Sequence, residues 1–212
     1  MSGQMLLRTP KQPEDNLTRV KITVRTARGK LMEFRFIDQR IFGSLAIDEM
    51  VPTSDGLPGG YSANIGRNSS WINLIPTQAS HISRDPLDVN FDETQVLAKF
   101  KKKASGIKRV LLDQKTLSGI GNIYADEALW QTRLHYDQPA NSISASKAKE
   151  LLASVREILT KAVAQGGTSF DEQYKNVNGE SGYFAVSLNA YGMTGQPCQR
   201  CGRPIKRENW MN

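Results

Sequence analysis

Two short segments concentrate the residue types that can do chemistry. The first holds Lys99, Lys101, Lys102, Lys103, Lys108 and Arg109, six cations within eleven residues and no acid among them. Like charges packed this closely repel one another unless an anion neutralises them, so the segment reads either as a solvated charged face or as a seat for phosphate. Directly downstream, Ser118, Gly119 and Gly121 precede Asn122, where a helical pattern begins. Two glycines let a backbone approach a ligand closely. Asn122 is suited to cap the helix, whose first turn offers unpaired N–H groups and the positive end of the dipole to a phosphate oxygen. Alone, such a turn is better explained as a tight helix-to-helix connection that needs glycine for its backbone angles. Beside six cations, the phosphate reading gains weight.

The second segment is Cys198-Gln-Arg-Cys201-Gly202, which contains both cysteines of the chain. A CxxCG knuckle lets two thiolates and two backbone N–H groups turn around one metal, but structural zinc takes four ligands. Neither His81 nor His135 has the local spacing to complete the set, so Cys198 and Cys201 make half a site. The alternatives are a redox pair or a disulfide. A redox CxxC sits where a strand meets a helix in a βαβ unit, whereas this one lies between Gly-Gln-Pro and a basic tail, which favours an incomplete zinc ribbon.

These segments need elements to hold them. Residues 20–25, VKITVR, and 31–37, LMEFRFI, alternate apolar and polar around a turn at Thr26–Gly29, which predicts a hairpin with one buried face. From Val51 to Pro76 the chain is rich in Gly, Ser, Pro and Asn and reads as a surface excursion without regular structure. Helical patterns follow over Phe91–Phe100, Val110–Gln114, Ile123–Leu134 and Ser144–Ala164. In the last, Ala145, Ala148, Leu151, Leu152, Val155, Ile158, Leu159, Ala162 and Val163 form one apolar stripe, with Ser144 as cap and Gly166–Gly167 as stop. AVSLNAY, at 185–191, is strand-like. The pattern predicts an α+β chain with three parts: a β-rich part over 1–76, a helical part over 77–190 and a metal knuckle over 191–212.

Composition sets the limits. With 212 residues and 39% hydrophobic residues the chain can bury real cores, and its net charge of +7 favours a polyanionic partner. No apolar run approaches the ~18 residues of a membrane span, and MSGQMLLRTPK is too short in apolar residues for a signal peptide. The expectation is a soluble cytoplasmic protein without a membrane partner.

Taken together, LLDQKTLSGIGNIYADEALW at 111–130 resembles the helix-two-turn-helix signature of the formamidopyrimidine-DNA glycosylase and endonuclease VIII family, and YGMTGQPCQRCGRPI resembles the entry to its zinc finger. DQRIFG at 38–43, HISRDPLD at 81–88 and NGESGYF at 178–184 match in order, closer to the formamidopyrimidine branch. The resemblance implies a base-excision enzyme that acts as a monomer on damaged double-stranded DNA in the cytoplasm, associated with the nucleoid. It would remove 8-oxoguanine and formamidopyrimidines as a glycosylase and cut the abasic site as a lyase. It implies an N-terminal β-sandwich, here from its C-terminal part, a helix-two-turn-helix domain and a zinc ribbon. Base flipping costs a few kcal/mol of unstacking that inserted side chains offset. Met1, Arg40 and Phe42 resemble the inserted trio, although Phe42 on its own reads as core. Lys103, Lys108, Gly119, Gly121 and Asn122 resemble the phosphate-contacting positions, and the loop from Ser169 to Tyr183 resembles the segment that closes over an extruded base.

The departures concern the ends. Family members begin with Pro-Glu, whose amine forms a Schiff base with the sugar, and use a Lys further on; they also carry a second cysteine pair and a finger Arg. These are absent from the 212 residues, which predicts a fragment truncated at both ends, without the nucleophile, inactive, and with an incomplete structural zinc site. The competing readings are a non-catalytic nucleic-acid-binding protein built on the same clamp and, disfavoured by the missing βαβ context, a thiol redox protein.

Overall fold

The computed structural model describes residues 3–38, 41, 43–59, 70–165 and 188–210. It is a mixed α+β fold in two compact units, one carrying the residues up to 47 and the other carrying 48–163 and 188–210.

In the first unit, β1 (Gly3–Arg8), β2 (Thr18–Arg25) and β3 (Leu31–Asp38) form an antiparallel sheet in the order β1-β3-β2. The predicted hairpin is β2–β3, closed by the Thr26 N–H on the Lys30 carbonyl at 2.8 Å, with Gly29 at φ +79°. Its two faces differ from expectation. The apolar register Leu7–Phe34–Ile22 leaves these side chains half-exposed. The opposite face buries charge, because Arg35 donates to Glu33 Oε2 (2.7 Å), Asp15 Oδ2 (3.0 Å) and the Gln12 carbonyl (3.1 Å). The segment from Thr9 to Leu17 thus folds over that face, and every polar group of the buried guanidinium finds a partner.

The second unit opens with β4 (Met50–Pro52) paired to β5 (Leu74–Pro76), antiparallel. The supposed structureless excursion therefore begins and ends in a two-stranded ribbon; strands of three residues are too short for periodicity to detect. Arg84 ties it to the next segment through Asp55 (2.6 Å), Asp88 (2.8 Å) and the Pro58 carbonyl (2.9 Å). Four helices follow: α1 (Glu93–Lys102), α2 (Ile107–Leu112), α3 (Asn122–Thr132) and α4 (Ala145–Ala164). Asp92 caps α1 by accepting from Gln95 N–H at 2.9 Å, and Ser144 caps α4 by accepting from Lys147 N–H at 3.2 Å. The α4 stripe is buried from Ala148 to Ala162, with Leu151, Leu152 and Val155 fully enclosed, whereas Ala145 and Val163 at its ends are exposed. Among the described residues no helix is long and apolar enough to cross a membrane. Of the segment expected as a strand at 185–191, residues 188–191 are irregular. Gly166 and Gly167 lie outside the described residues.

Candidate functional site

The turn between α2 and α3 is assembled around Asp113. Its carboxylate accepts from Lys103 Nζ (2.5 Å), Thr116 Oγ1 (2.6 Å) and Lys115 N–H (3.0 Å), and its carbonyl accepts from Thr116 N–H (2.7 Å). Burial disfavours the charge on Asp113, but these donors outweigh it and hold the carboxyl at about 2. HISRDPLD braces the same turn: Ser83 N–H donates to the Gln114 carbonyl (2.8 Å) and Ser118 N–H to the Arg84 carbonyl (3.3 Å).

The glycines have different reasons to be there. Gly119 lies at φ +81°, and a Cβ on it would stand 3.2 Å from that of Asp85. Gly121 is extended at φ −104°, ψ 178°, with nothing within 4 Å of a Cβ position. Gly121, not Asn122, is the N-cap of α3, and no side chain caps the helix. Asn122 is instead the first helical residue and is exposed, at the end of α3 where the opening N–H groups have no intrahelical acceptor. A helix N-terminus left uncapped beside an open glycine can accept an oxyanion.

The cationic run is less free than its sequence suggests. Lys99 donates to Ser83 Oγ (3.3 Å) and the Lys115 carbonyl (3.1 Å), and Lys101 to the Ile143 carbonyl (2.6 Å). Lys103 pairs with Asp113, and Lys108 pairs with Asp126 (2.7 Å) beneath the ring of Trp210 (4.7 Å). Acids from the turn and from α3, remote in sequence, relieve the repulsion, while Lys102 and Arg109 remain exposed. Lys108, Gly119, Gly121 and Asn122 therefore belong to one α2–turn–α3 substructure, and Lys103, the C-cap of α1, joins it through Asp113.

Met1, Arg40 and Phe42 lie outside the described residues, as does the loop from Ser169 to Tyr183. Their neighbours explain part of the DQRIFG motif. Asp38 is buried and its Oδ2 accepts from Gly43 N–H at 2.6 Å, so the first and last residues of the motif are hydrogen-bonded to each other. A Cβ at Gly43 would lie 2.3 Å from the tip of the Phe36 ring, so any side chain there would have to displace that ring.

Cys198 and Cys201 sit on a tight knuckle in which Gly202 N–H donates to the Cys198 carbonyl and Cys198 N–H to the Arg203 carbonyl, both at 2.8 Å. The Trp130 indole N–H, 3.5 Å from Cys198 Sγ, and the N–H groups of Arg200 and Cys201 bring the Cys198 thiol down to about 7. Two thiols held this way fit half of a tetrahedral soft-metal site; among the described residues no group of three or more His, Cys, Asp or Glu completes one.

Sequence reasoning missed Glu127. Buried in α3, its carboxylate receives the N–H groups of Asn189 (2.9 Å), Ala190 (2.8 Å) and Tyr191 (2.9 Å). An acid inside an apolar helical pattern was the one available signal.

Residues 82–173 match the Formamidopyrimidine-DNA glycosylase H2TH domain. Over all 212 residues the chain is 52% identical to the formamidopyrimidine-DNA glycosylase of Leifsonia xyli subsp. xyli, covering 69% of that protein, and 46% identical to that of Kineococcus radiotolerans, covering 67%. It belongs to the formamidopyrimidine-DNA glycosylase family. Solved members of the family share the fold at 28% identity. Lactococcus lactis Fpg with an abasic site containing DNA matches at a TM-score of 0.69, and MutM with carbocyclic 8-oxo-G containing DNA at 0.68, each over 97% of this chain and 66% of the other. The chain thus spans about two thirds of the length of these formamidopyrimidine-DNA glycosylases.

Proposed function

We propose that these 212 residues are the DNA-gripping part of a base-excision repair glycosylase and abasic-site lyase that acts on oxidised purines in double-stranded DNA. The observation that carries this reading is the first turn of α3, with Asn122 exposed, Gly121 open and Lys102 and Arg109 exposed on the preceding elements. In the proposed complex the N–H groups at Gly121–Ile123 and the Asn122 amide bond phosphate oxygens of the damaged strand. Lys103 and Lys108 share their charge between Asp113 and Asp126 and the phosphate, so each carboxylate keeps its partner while the lysine gains an oxyanion. Arg40 faces the orphaned base and Phe42 wedges the stack, with Met1 as the third side chain inserted where the flipped base has left. Relatives crystallised with abasic-site and 8-oxo-G DNA support the substrate class.

Cys198 and Cys201 would hold one side of a structural zinc, which supplies a cross-link and no reactive group. The amine nucleophile of the family is not among the residues that make the grip. The 212-residue polypeptide alone is therefore expected to bind and not to cut. Borohydride trapping on an 8-oxoguanine duplex should give no covalent adduct; an adduct would overturn the assignment of its residues to binding alone. Duplex affinity should fall with a log–log salt slope of about −0.9 per phosphate neutralised. A flat salt response would remove the DNA reading.

A further inference from the structure

Glu127 stands in the middle of α3 with 4% of its surface exposed. Both carboxylate oxygens are engaged: Oε2 accepts from the Asn189 N–H (2.9 Å) and its Nδ2 (3.2 Å), Oε1 from the N–H groups of Ala190 (2.8 Å) and Tyr191 (2.9 Å). Four N–H donors on one buried carboxylate make a charge-assisted clamp on residues 189–191, the segment that leads into the cysteine knuckle. Three positions further along α3, the Trp130 indole reaches Cys198 Sγ (3.5 Å) and its ring carries the Arg200 guanidinium (4.2 Å), which also donates to the Trp130 carbonyl (2.8 Å). Asn122 begins the same helix. At ~1.5 Å per residue, a helical span of roughly 12 Å from Asn122 to Trp130 joins the anion-facing turn to the knuckle, with Glu127 between them.

We propose that Glu127 is a positioning residue that locks the Cys198–Cys201 knuckle onto α3, the helix that carries the anion-facing turn. As a consequence, which rests on the phosphate-binding reading above, metal at the knuckle and phosphate at Gly121–Ile123 strengthen each other by the same factor. The negative charge is what the lock requires: in Glu127→Gln one oxygen becomes an NH2 group facing N–H donors, so only half of the bonds survive.

The test uses the whole 212-residue chain, cadmium as probe through its thiolate-to-metal absorbance, and a duplex containing an abasic-site analogue. Cadmium affinity is measured with and without saturating duplex for the parent, Glu127→Gln, Asn189→Ala and Thr132→Val. Thr132 is buried on the same helix and bonds only α3 carbonyls (2.7 Å to that of Ala128), so its loss removes a buried hydrogen bond from α3 without touching 189–191. In the parent, duplex is expected to raise cadmium affinity by about fivefold or more. Glu127→Gln lowers the DNA-free cadmium affinity and abolishes the enhancement; Asn189→Ala, which keeps the carboxylate, gives a smaller loss of both, and Thr132→Val retains both. Parent-like cadmium affinity in Glu127→Gln and Asn189→Ala, or an equal loss in Thr132→Val, overturns the proposal. Should the parent bind no duplex, the functional reading fails by itself, and the DNA-free cadmium affinities still decide whether Glu127 holds the knuckle.

Discussion

Gly119 and Gly121 stand two residues apart in one turn, and the physical demand on each is different. Gly119 is fixed by conformation, since φ +81° costs an L side chain about 1–2 kcal/mol and the Asp85 side chain closes the space above it. Nothing inside the molecule requires glycine at 121. If its openness is there to admit a phosphate, the two alanine variants should separate: Gly119→Ala lowers the melting temperature the more, while Gly121→Ala, which changes only the N-cap of α3, lowers it slightly and loses duplex affinity by about tenfold, the worth of one charge-assisted hydrogen bond. Calorimetry and fluorescence anisotropy on the same samples check this. Parent-like DNA affinity in Gly121→Ala would assign both glycines to the backbone alone.

At the scale of elements, α4 was legible because its apolar side chains recur at helical spacing, and Ser144 capped it where the pattern placed it, whereas α2, expected at Val110–Gln114, lies at Ile107–Leu112 because six residues are too few to show a period. Other features were hidden for definite reasons. The partners of Arg35 and Glu127 lie on segments whose paths no local pattern fixes, with 62 to 64 residues separating Glu127 from its donors. Asn122 missed its capping role by one position, since backbone angles and not residue type made Gly121 the cap. The turn before α3 also makes a pH prediction. Asp113 and Asp55 are both held at about 2, against an ordinary ~3.9, Asp55 first by its hydrogen bond from Arg84. A depressed carboxylate contributes stability that is present above its unfolded pKa and lost as pH falls through the folded one. The helical unit should therefore keep its stability down to about pH 4 and lose it towards pH 2, with Asp113→Asn flattening part of that loss in acid titrations followed by circular dichroism.

At the scale of the whole molecule, a net charge of +7 is spread so that much of the densest run is internally paired. The charge total pointed towards a polyanion, but it could not reveal that Lys103 and Lys108 spend their charge partly on Asp113 and Asp126. The sheet taught a similar lesson: alternation located β2 and β3, while which face carries water depends on the Thr9–Leu17 segment and on Arg35. The account as a whole stands on the first turn of α3 as the place where phosphate is held. Amide chemical shifts, recorded while an abasic-site duplex is titrated into the 212-residue chain, report on that directly. The largest shifts are expected at the N–H groups of Gly121, Asn122 and Ile123, vanishing as salt is raised; shifts that bypass these amides while the duplex binds elsewhere would place the phosphate elsewhere and refute the assignment of α3.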